Sequence, residues 1–149
     1  MRPRSVPCYP LKTRKHPKTP LPHLTGRVLF VDDEQVVLLL GQRLLAEIGC
    51  QVTACQDPVQ ALALFRNDPC AFDVVLTDYV MPNMTGPELA VELLAIRPDL
   101  PVILLSGSGA EMAESPAAHP GIREFLAKPI RLAELAAVLG RYLPTSAVS

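Results

Sequence analysis

Five residues of this chain could do chemistry together: Asp32, Asp33, Asp78, Ser106 and Lys128. Each follows on a short, largely apolar run (Asp33 by way of Asp32), where a charge or a hydroxyl adds nothing to packing. Were they to meet, three carboxylates would face one hydroxyl and one ammonium. Two unit charges 4 Å apart repel by about 4 kcal/mol at an effective dielectric of 20. Such a group either takes up protons or encloses a divalent cation. Carboxylate oxygens with no His or Cys beside them suit a hard ion, Mg2+ or Mn2+, that keeps several waters. A carboxylate is also a nucleophile toward phosphoryl groups. A phosphoryl group on Asp78 would have the cation on one side, Lys128 on another, and the Ser106 hydroxyl at a third oxygen. That is catalysis by position and charge compensation.

The elements that must position these residues can be read from the pattern. Arg27–Val31 is a short β-rich run that ends on Asp32-Asp33-Glu34. Gln35 to Ile48 has apolar residues at helical spacing, with Gly49 as its stop. Gln51–Ala54 suits a second strand, and Asp57-Pro58 starts a short helix over Val59–Arg66, with the Asp as cap. Phe72 to Thr77 reads as a fully buried parallel strand running into Asp78. After the loop VMPNMTG a helix is expected from about Pro87 to Ile96. Val102–Leu105 is a fourth buried strand ending on Ser106, and Glu124–Leu126 a short fifth that leads to Lys128-Pro129. Arg131 to Tyr142 closes the domain as a helix, with Leu132, Leu135, Leu139 and Tyr142 on one face. Between the fourth and fifth strands, Pro116 and Pro120 allow only a short or split fourth helix. Fast hydrogen exchange is expected across Gly107–Gly121 for the same reason.

Strand and helix thus alternate five times, which predicts an α/β fold with a five-stranded parallel sheet covered on both faces. Right-handed crossovers place the first strand beside the third, the third beside the fourth and the fourth beside the fifth. The five chemical residues then share one end of the sheet, where open α/β folds bind their ligands.

Composition sets the boundaries. Residues 1–27 hold seven of the fourteen Lys and Arg and no Asp or Glu; the remainder holds seven basic against fifteen acidic residues, a net of −8. Six of the sixteen prolines precede residue 25. Residues 1–25 are accordingly expected to be a disordered, basic, proline-rich tail or linker, residues 26–144 the folded domain, and 145–149 a disordered C-terminus. The tail has one aromatic, Tyr9, and scattered charges, a poor design for a nucleic-acid arm, so no direct DNA binding is expected. No apolar run approaches the roughly 20 residues needed to span a bilayer, and the N-terminus lacks a secretory apolar core. A cytoplasmic protein without membrane insertion is expected. Cys8, Cys50, Cys55 and Cys70 show no metal spacing and read as reduced thiols.

The residues Val31-Asp-Asp-Glu34, Asp78-Tyr-Val-Met-Pro-Asn-Met-Thr-Gly86, Leu105-Ser-Gly107 and Phe125-Leu-Ala-Lys-Pro129 resemble, in order and interval, the receiver (response regulator) domains of two-component signalling. The resemblance runs from about Arg27 to Leu143. It implies a doubly wound, flavodoxin-like sheet of order 2-1-3-4-5. It implies that Asp78 is the phosphoacceptor, and that Asp33, Asp78 and the Val80 carbonyl bind Mg2+ (or Mn2+), with Asp32 acting largely through water. Ser106 would be the hydroxyl that turns toward the phosphoryl group, Lys128 its counter-charge, Phe125 the aromatic that follows Ser106, and Pro129 a cis proline. Gly107 would keep the phosphoryl site open.

The donor implied is the phosphohistidine of a histidine kinase or of a histidine phosphotransfer protein, and an unidentified downstream protein would read the modified state. The run Gly121–Leu126 is similar to receivers of hybrid sensor histidine kinases, so the chain is expected to be a stand-alone receiver or the receiver piece of such a kinase. A receiver assists its own phosphorylation and dephosphorylation but turns over no free metabolite, so an enzyme in the usual sense is not expected. A monomer or weak dimer is expected, since Pro116 and Pro120 lie in a face that receivers use to associate.

Bland readings stand beside these. Asp32 or Asp33 alone could cap a helix, Lys128 alone could be a surface charge, Phe125 alone could be core, and Met81 and Met84 set loop packing. His16, His23 and His119 show no partner arrangement and read as uninvolved. The alternative function is a metal-dependent phosphohydrolase with an aspartyl-phosphate intermediate. Haloacid-dehalogenase-type phosphatases, which work this way, carry a second Asp two residues after the nucleophile, where this chain has Val80.

Overall fold

The computed structural model describes residues 23–107, 119 and 121–145. Within them the chain runs β1 (Arg27–Val31), α1 (Gln35–Ile48), β2 (Gln51–Cys55), α2 (Pro58–Asn67), β3 (Val74–Asp78), α3 (Gly86–Ile96), β4 (Val102–Ser106), β5 (Ile122–Ala127) and α4 (Leu132–Leu139). The expected helix between β4 and β5, like most of the expected tail, lies outside the described residues.

The strands form one parallel sheet of order β2-β1-β3-β4-β5. Alternation along each strand divides its side chains between two cores. Val28 and Phe30 of β1, Val74 and Leu76 of β3, and Ile103 and Leu105 of β4 pack with Leu38, Leu45 and Ile48 of α1 and Leu135 and Leu139 of α4. Leu29 and Val31, Val75, and Val102 and Leu104 pack on the other face with Leu62 and Phe65 of α2 and Leu89 and Leu93 of α3. The sheet is therefore doubly wound, and β3 and β4 are buried along their whole length.

Local chemistry fixes the helix ends. The Asp57 side chain accepts from the Val59 N–H at 2.9 Å, with Pro58 in the first turn of α2. Thr85 and Glu88 form a reciprocal capping box at the start of α3, which satisfies two otherwise orphaned N–H groups. Gly49 closes α1 at φ 116, a left-handed conformation that a side chain resists. A Cβ there would also come within 2.5 Å of the Leu24 carbonyl oxygen.

Three expectations change. Leu24, assigned to the tail, is buried in the core and bridges Thr145, assigned to the C-terminus. Packing of the domain therefore includes Leu24, which shares a core with Ile48 and Leu143 and whose N–H donates to the Ile48 carbonyl at 2.9 Å. The closing helix stops at Leu139, short of Tyr142. Arg141 and Tyr142 donate instead to Val138 and Leu139, a tighter turn that turns the Tyr142 hydroxyl onto Glu124 at 2.8 Å. Lastly, neither Asp32 nor Asp33 caps α1: Glu34 is the N-cap, with no side-chain cap bond.

Candidate functional site

The site lies at the carboxyl ends of β1, β3 and β4. Register carries the residues there. Asp78 ends β3 opposite Leu105, and Ser106 ends β4 opposite Ala127, one residue before Lys128. Backbone bonds continue the sheet past the strand ends: Asp32 N–H donates to Cys55 (3.1 Å), Tyr79 N–H to Leu105 (2.9 Å) and Lys128 N–H to Ser106 (2.8 Å). Each chemical residue thus lies within two residues of a paired strand.

The loop after Asp78 folds back on itself. Gly86 N–H donates to the Tyr79 carbonyl at 2.8 Å, and Asn83 takes a positive φ of 74. A Cβ on Gly86 would lie 2.3 Å from the Asp78 carbonyl oxygen, so only glycine lets α3 begin directly beneath Asp78. Met81 is buried and Met84 packs against the same core, as their reading as loop-packing residues anticipated.

Lys128 is the centre of the charge arrangement. Its Nζ lies 3.0 Å from Asp32 Oδ2, 3.0 Å from Asp78 Oδ1 and 3.6 Å from Glu34 Oε1. Burial works against the ammonium, but the pairs with Asp78 and Asp32 outweigh it and hold its pKa above the ordinary value. The carboxylates are less well served. Burial, with Asp32 adding repulsion, pushes Asp78 from 3.8 up to about 6, despite Lys128 and the Tyr79 N–H, which donates to Oδ1 at 2.9 Å. Asp32 is fully buried and is likewise raised, chiefly by burial. Its Oδ1 accepts from the Glu34 N–H at 2.9 Å, whereas Oδ2 is paired in charge with Lys128 without a well-directed hydrogen bond.

One carboxylate oxygen from each of Asp32, Asp33 and Asp78 comes within 4.8 Å of the other two. Three oxygen donors, a buried oxygen without a hydrogen bond and, at Asp78, a carboxylate whose charge is under-compensated form a donor set that fits a hard divalent cation. They open into a cleft of about 290 Å³ lined by Asp33, Glu34, Asp78, Val80, Gly107 and Lys128. Val80, which is exposed, belongs to that lining. Among the described residues, a Cβ on Gly107 would find only Lys128 Cδ, at 3.9 Å.

Ser106 is buried, Phe125 is half-buried on β5, and the Lys128–Pro129 peptide bond is cis. One group that the sequence left aside comes close to the site. The His119 Nε2 shares a hydrogen bond of 3.1 Å with the Tyr79 hydroxyl, and its ring lies 6.2 Å from that of Phe125. The partners are 40 residues apart, so no local spacing could have revealed the contact.

Residues 28–140 match the family described as the response regulator receiver domain. The two-component response regulator ORR22 of Oryza sativa subsp. japonica is 38% identical over 109 residues, which is 73% of this chain and 16% of that protein. This chain therefore spans about a sixth of the length of that relative. Among solved structures, a response regulator receiver domain protein from Clostridium thermocellum aligns with a TM-score of 0.73 at 29% identity, covering 78% of this chain and 93% of that one. The receiver domain of a sensor histidine kinase from Pseudomonas aeruginosa, with a magnesium ion coordinated in its active-site cleft, aligns with a TM-score of 0.69 at 25% identity, covering 79% and 97%.

Proposed function

Because this chain belongs to the response regulator receiver domain family, we propose that Asp78 accepts a phosphoryl group from the phosphohistidine of a histidine kinase or histidine phosphotransfer protein. The observation that carries the reading is Lys128, whose ammonium lies 3.0 Å from carboxylate oxygens of both Asp32 and Asp78. That geometry compensates charge at the end of a strand, where a phosphoryl group adds more of it.

Asp78 Oδ1 is engaged by Lys128 and by the Tyr79 N–H, which leaves Oδ2 as the attacking atom. In the transfer, the Oδ2–phosphorus bond forms as the donor's phosphorus–nitrogen bond breaks, and the electron pair returns to the imidazole nitrogen. Lys128 stays beside the reacting oxygens, and the Ser106 hydroxyl turns to donate to a phosphoryl oxygen, with Phe125 following it. Asp33, Asp78 and the Val80 carbonyl would hold Mg2+ directly, with Asp32 acting through water. When bound, the ion supplies positive charge to the phosphoryl oxygens; Mn2+, equally hard, would serve. Hydrolysis reverses the modification, with water attacking phosphorus and the Asp78 carboxylate leaving.

The domain assists both steps on itself and turns over no metabolite. Its product is a changed surface, read by a downstream protein in the cytoplasm. The same chemistry serves a stand-alone receiver and one joined to a kinase. The donor would approach over the start of α1, where Val36 is 78% exposed and Leu39 and Leu40 continue an apolar strip beside the cleft. Among the described residues, no helix is long and apolar enough to cross a membrane.

Binding of beryllofluoride, a phosphoryl mimic, tests the reading by fluorine NMR. Wild type should bind it only with Mg2+ or Mn2+, and Asp78→Asn should not bind it. Catalytic turnover of a generic phosphomonoester by wild type would favour the phosphohydrolase instead.

A further inference from the structure

The residue after the acceptor has a side chain tied to the far edge of the sheet. Tyr79 leaves β3 with its N–H shared between Asp78 Oδ1 and the Leu105 carbonyl, at 2.9 Å each. Its hydroxyl meets His119 Nε2 at 3.1 Å, and the two rings stand edge to face, 5.8 Å between centroids. The imidazole also packs at a tilt against Phe125, 6.2 Å between ring centroids. Phe125 sits on β5 opposite Leu104, and Tyr79, Phe125 and Met84 all lie at the margin of the same apolar core. An unbroken series of contacts therefore runs from the acceptor carboxylate through Tyr79 and His119 to Phe125.

We propose that His119 is a positioning residue that straps Phe125 to Tyr79 while Asp78 is unmodified, and that occupation of Asp78 loosens the strap. This rests on Asp78 being the phosphoacceptor. The loosening follows from the charge on Oδ1. In the carboxylate, Oδ1 accepts the Tyr79 N–H as an ionised acceptor, and such bonds are roughly twice as strong as neutral ones. Once Oδ2 carries phosphorus, Oδ1 is the carbonyl oxygen of an acyl phosphate and holds the Tyr79 N–H less firmly. The Tyr79 N–H is then held chiefly by the Leu105 carbonyl, a looser anchor for the hydroxyl that meets His119. The strap thus favours the unmodified state, and by thermodynamic reciprocity its removal must favour the occupied one.

The contact does not duplicate the role given to Ser106. Ser106 would respond to the phosphoryl oxygens, whereas Tyr79 responds to the acceptor's own carboxyl. Phe125 is the point where both effects arrive, so its freedom to move depends on two inputs that can be removed separately.

The experiment uses the full chain with 13C-labelled phenylalanine, the Phe125 ring signal being assigned with Phe125→Leu. Beryllofluoride is titrated in the presence of Mg2+ into wild type, Tyr79→Phe, His119→Leu, His119→Gln and the double variant Tyr79→Phe/His119→Leu. With the strap gone, His119→Leu should bind the mimic about two- to tenfold more tightly, the range that loss of one net hydrogen bond spans. Its free-state Phe125 signal should already be displaced toward the bound position. The double variant should match His119→Leu, because both substitutions cut one chain of contacts. His119→Gln, which offers a polar atom near the Nε2 position, should return the affinity part of the way to wild type.

Unchanged or weaker binding in His119→Leu, with the Phe125 signal where wild type has it, would overturn the proposal. Additive effects in the double variant would do so as well. Failure of wild type to bind the mimic is a different result: it removes the phosphoacceptor reading itself.

Discussion

Replacement of Asp78 by Asn should stabilise the protein when no divalent cation is present. Asn has the shape of a protonated Asp, so the variant resembles wild type with the Asp78 proton permanently in place. In the folded protein burial and the Asp32 charge raise Asp78 from 3.8 to about 6, a net effect that already includes the attraction of Lys128. A shift of about two pH units corresponds to about 3 kcal/mol between the two protonation states. The sign follows from proton binding. Between pH 4 and 6 the native state holds the proton that the unfolded chain has released, so wild-type stability falls as pH rises through that window. Below it, wild type and Asp78→Asn should be about equally stable. Above pH 6.5 the variant should lead by an amount approaching about 3 kcal/mol. Urea unfolding in chelator, at several values between pH 4 and 7.5, measures the difference directly. Equal or lower stability of Asp78→Asn at pH 7.5 would refute the claim that Asp78 is an under-compensated buried charge.

Lys128→Met should act in the opposite sense, leaving Asp32 and Asp78 without their shared ammonium. A loss of about 3–5 kcal/mol at pH 7.5 is expected, recovering as acid neutralises the two carboxylates, and urea midpoints at pH 7.5 and 5 report it. Gly86→Ala places a Cβ 2.3 Å from the Asp78 carbonyl oxygen, a backbone atom that cannot rotate away. It should cost about 1–3 kcal/mol or more and weaken beryllofluoride binding, whereas Gly107→Ala, with its nearest contact among the described residues at 3.9 Å, should change stability by no more than about 0.5 kcal/mol. Thermal unfolding of the two alanine variants side by side separates the cases.

The centre of the site was legible because burial makes sequence simple. The run from Val74 to Asp78 is buried throughout, and a carboxylate in that position has no packing explanation. The same holds for Val102–Ser106. Edge strand β5 was harder to bound: Arg123 and Glu124 interrupt its apolar pattern, and only Glu124–Leu126 had been expected where Ile122–Ala127 is paired. Leu24 escaped notice because its single apolar side chain follows a run of prolines, and only tertiary packing beside Ile48 reveals its place in the core. His119 escaped for a related reason. Its partners, one just past the end of β3 and one within β5, are brought together by the sheet, and a histidine beside Pro120 carries no local signal of them. Charges such as Lys128, by contrast, became interpretable from the strand order alone, since parallel strands gather their carboxyl ends on one side.

The central claim is that Asp78 receives a phosphoryl group, and mapping that group tests it most directly. The full chain would be incubated with a small phosphoramidate donor, with Mg2+ or with chelator, digested in acid and sequenced by mass spectrometry. One phosphoryl group is expected on the peptide that carries Asp78. It should be stable in acid, lost in base, absent in chelator and absent from Asp78→Asn. Phosphate on any other residue, or equal labelling of Asp78→Asn and wild type, would contradict the account.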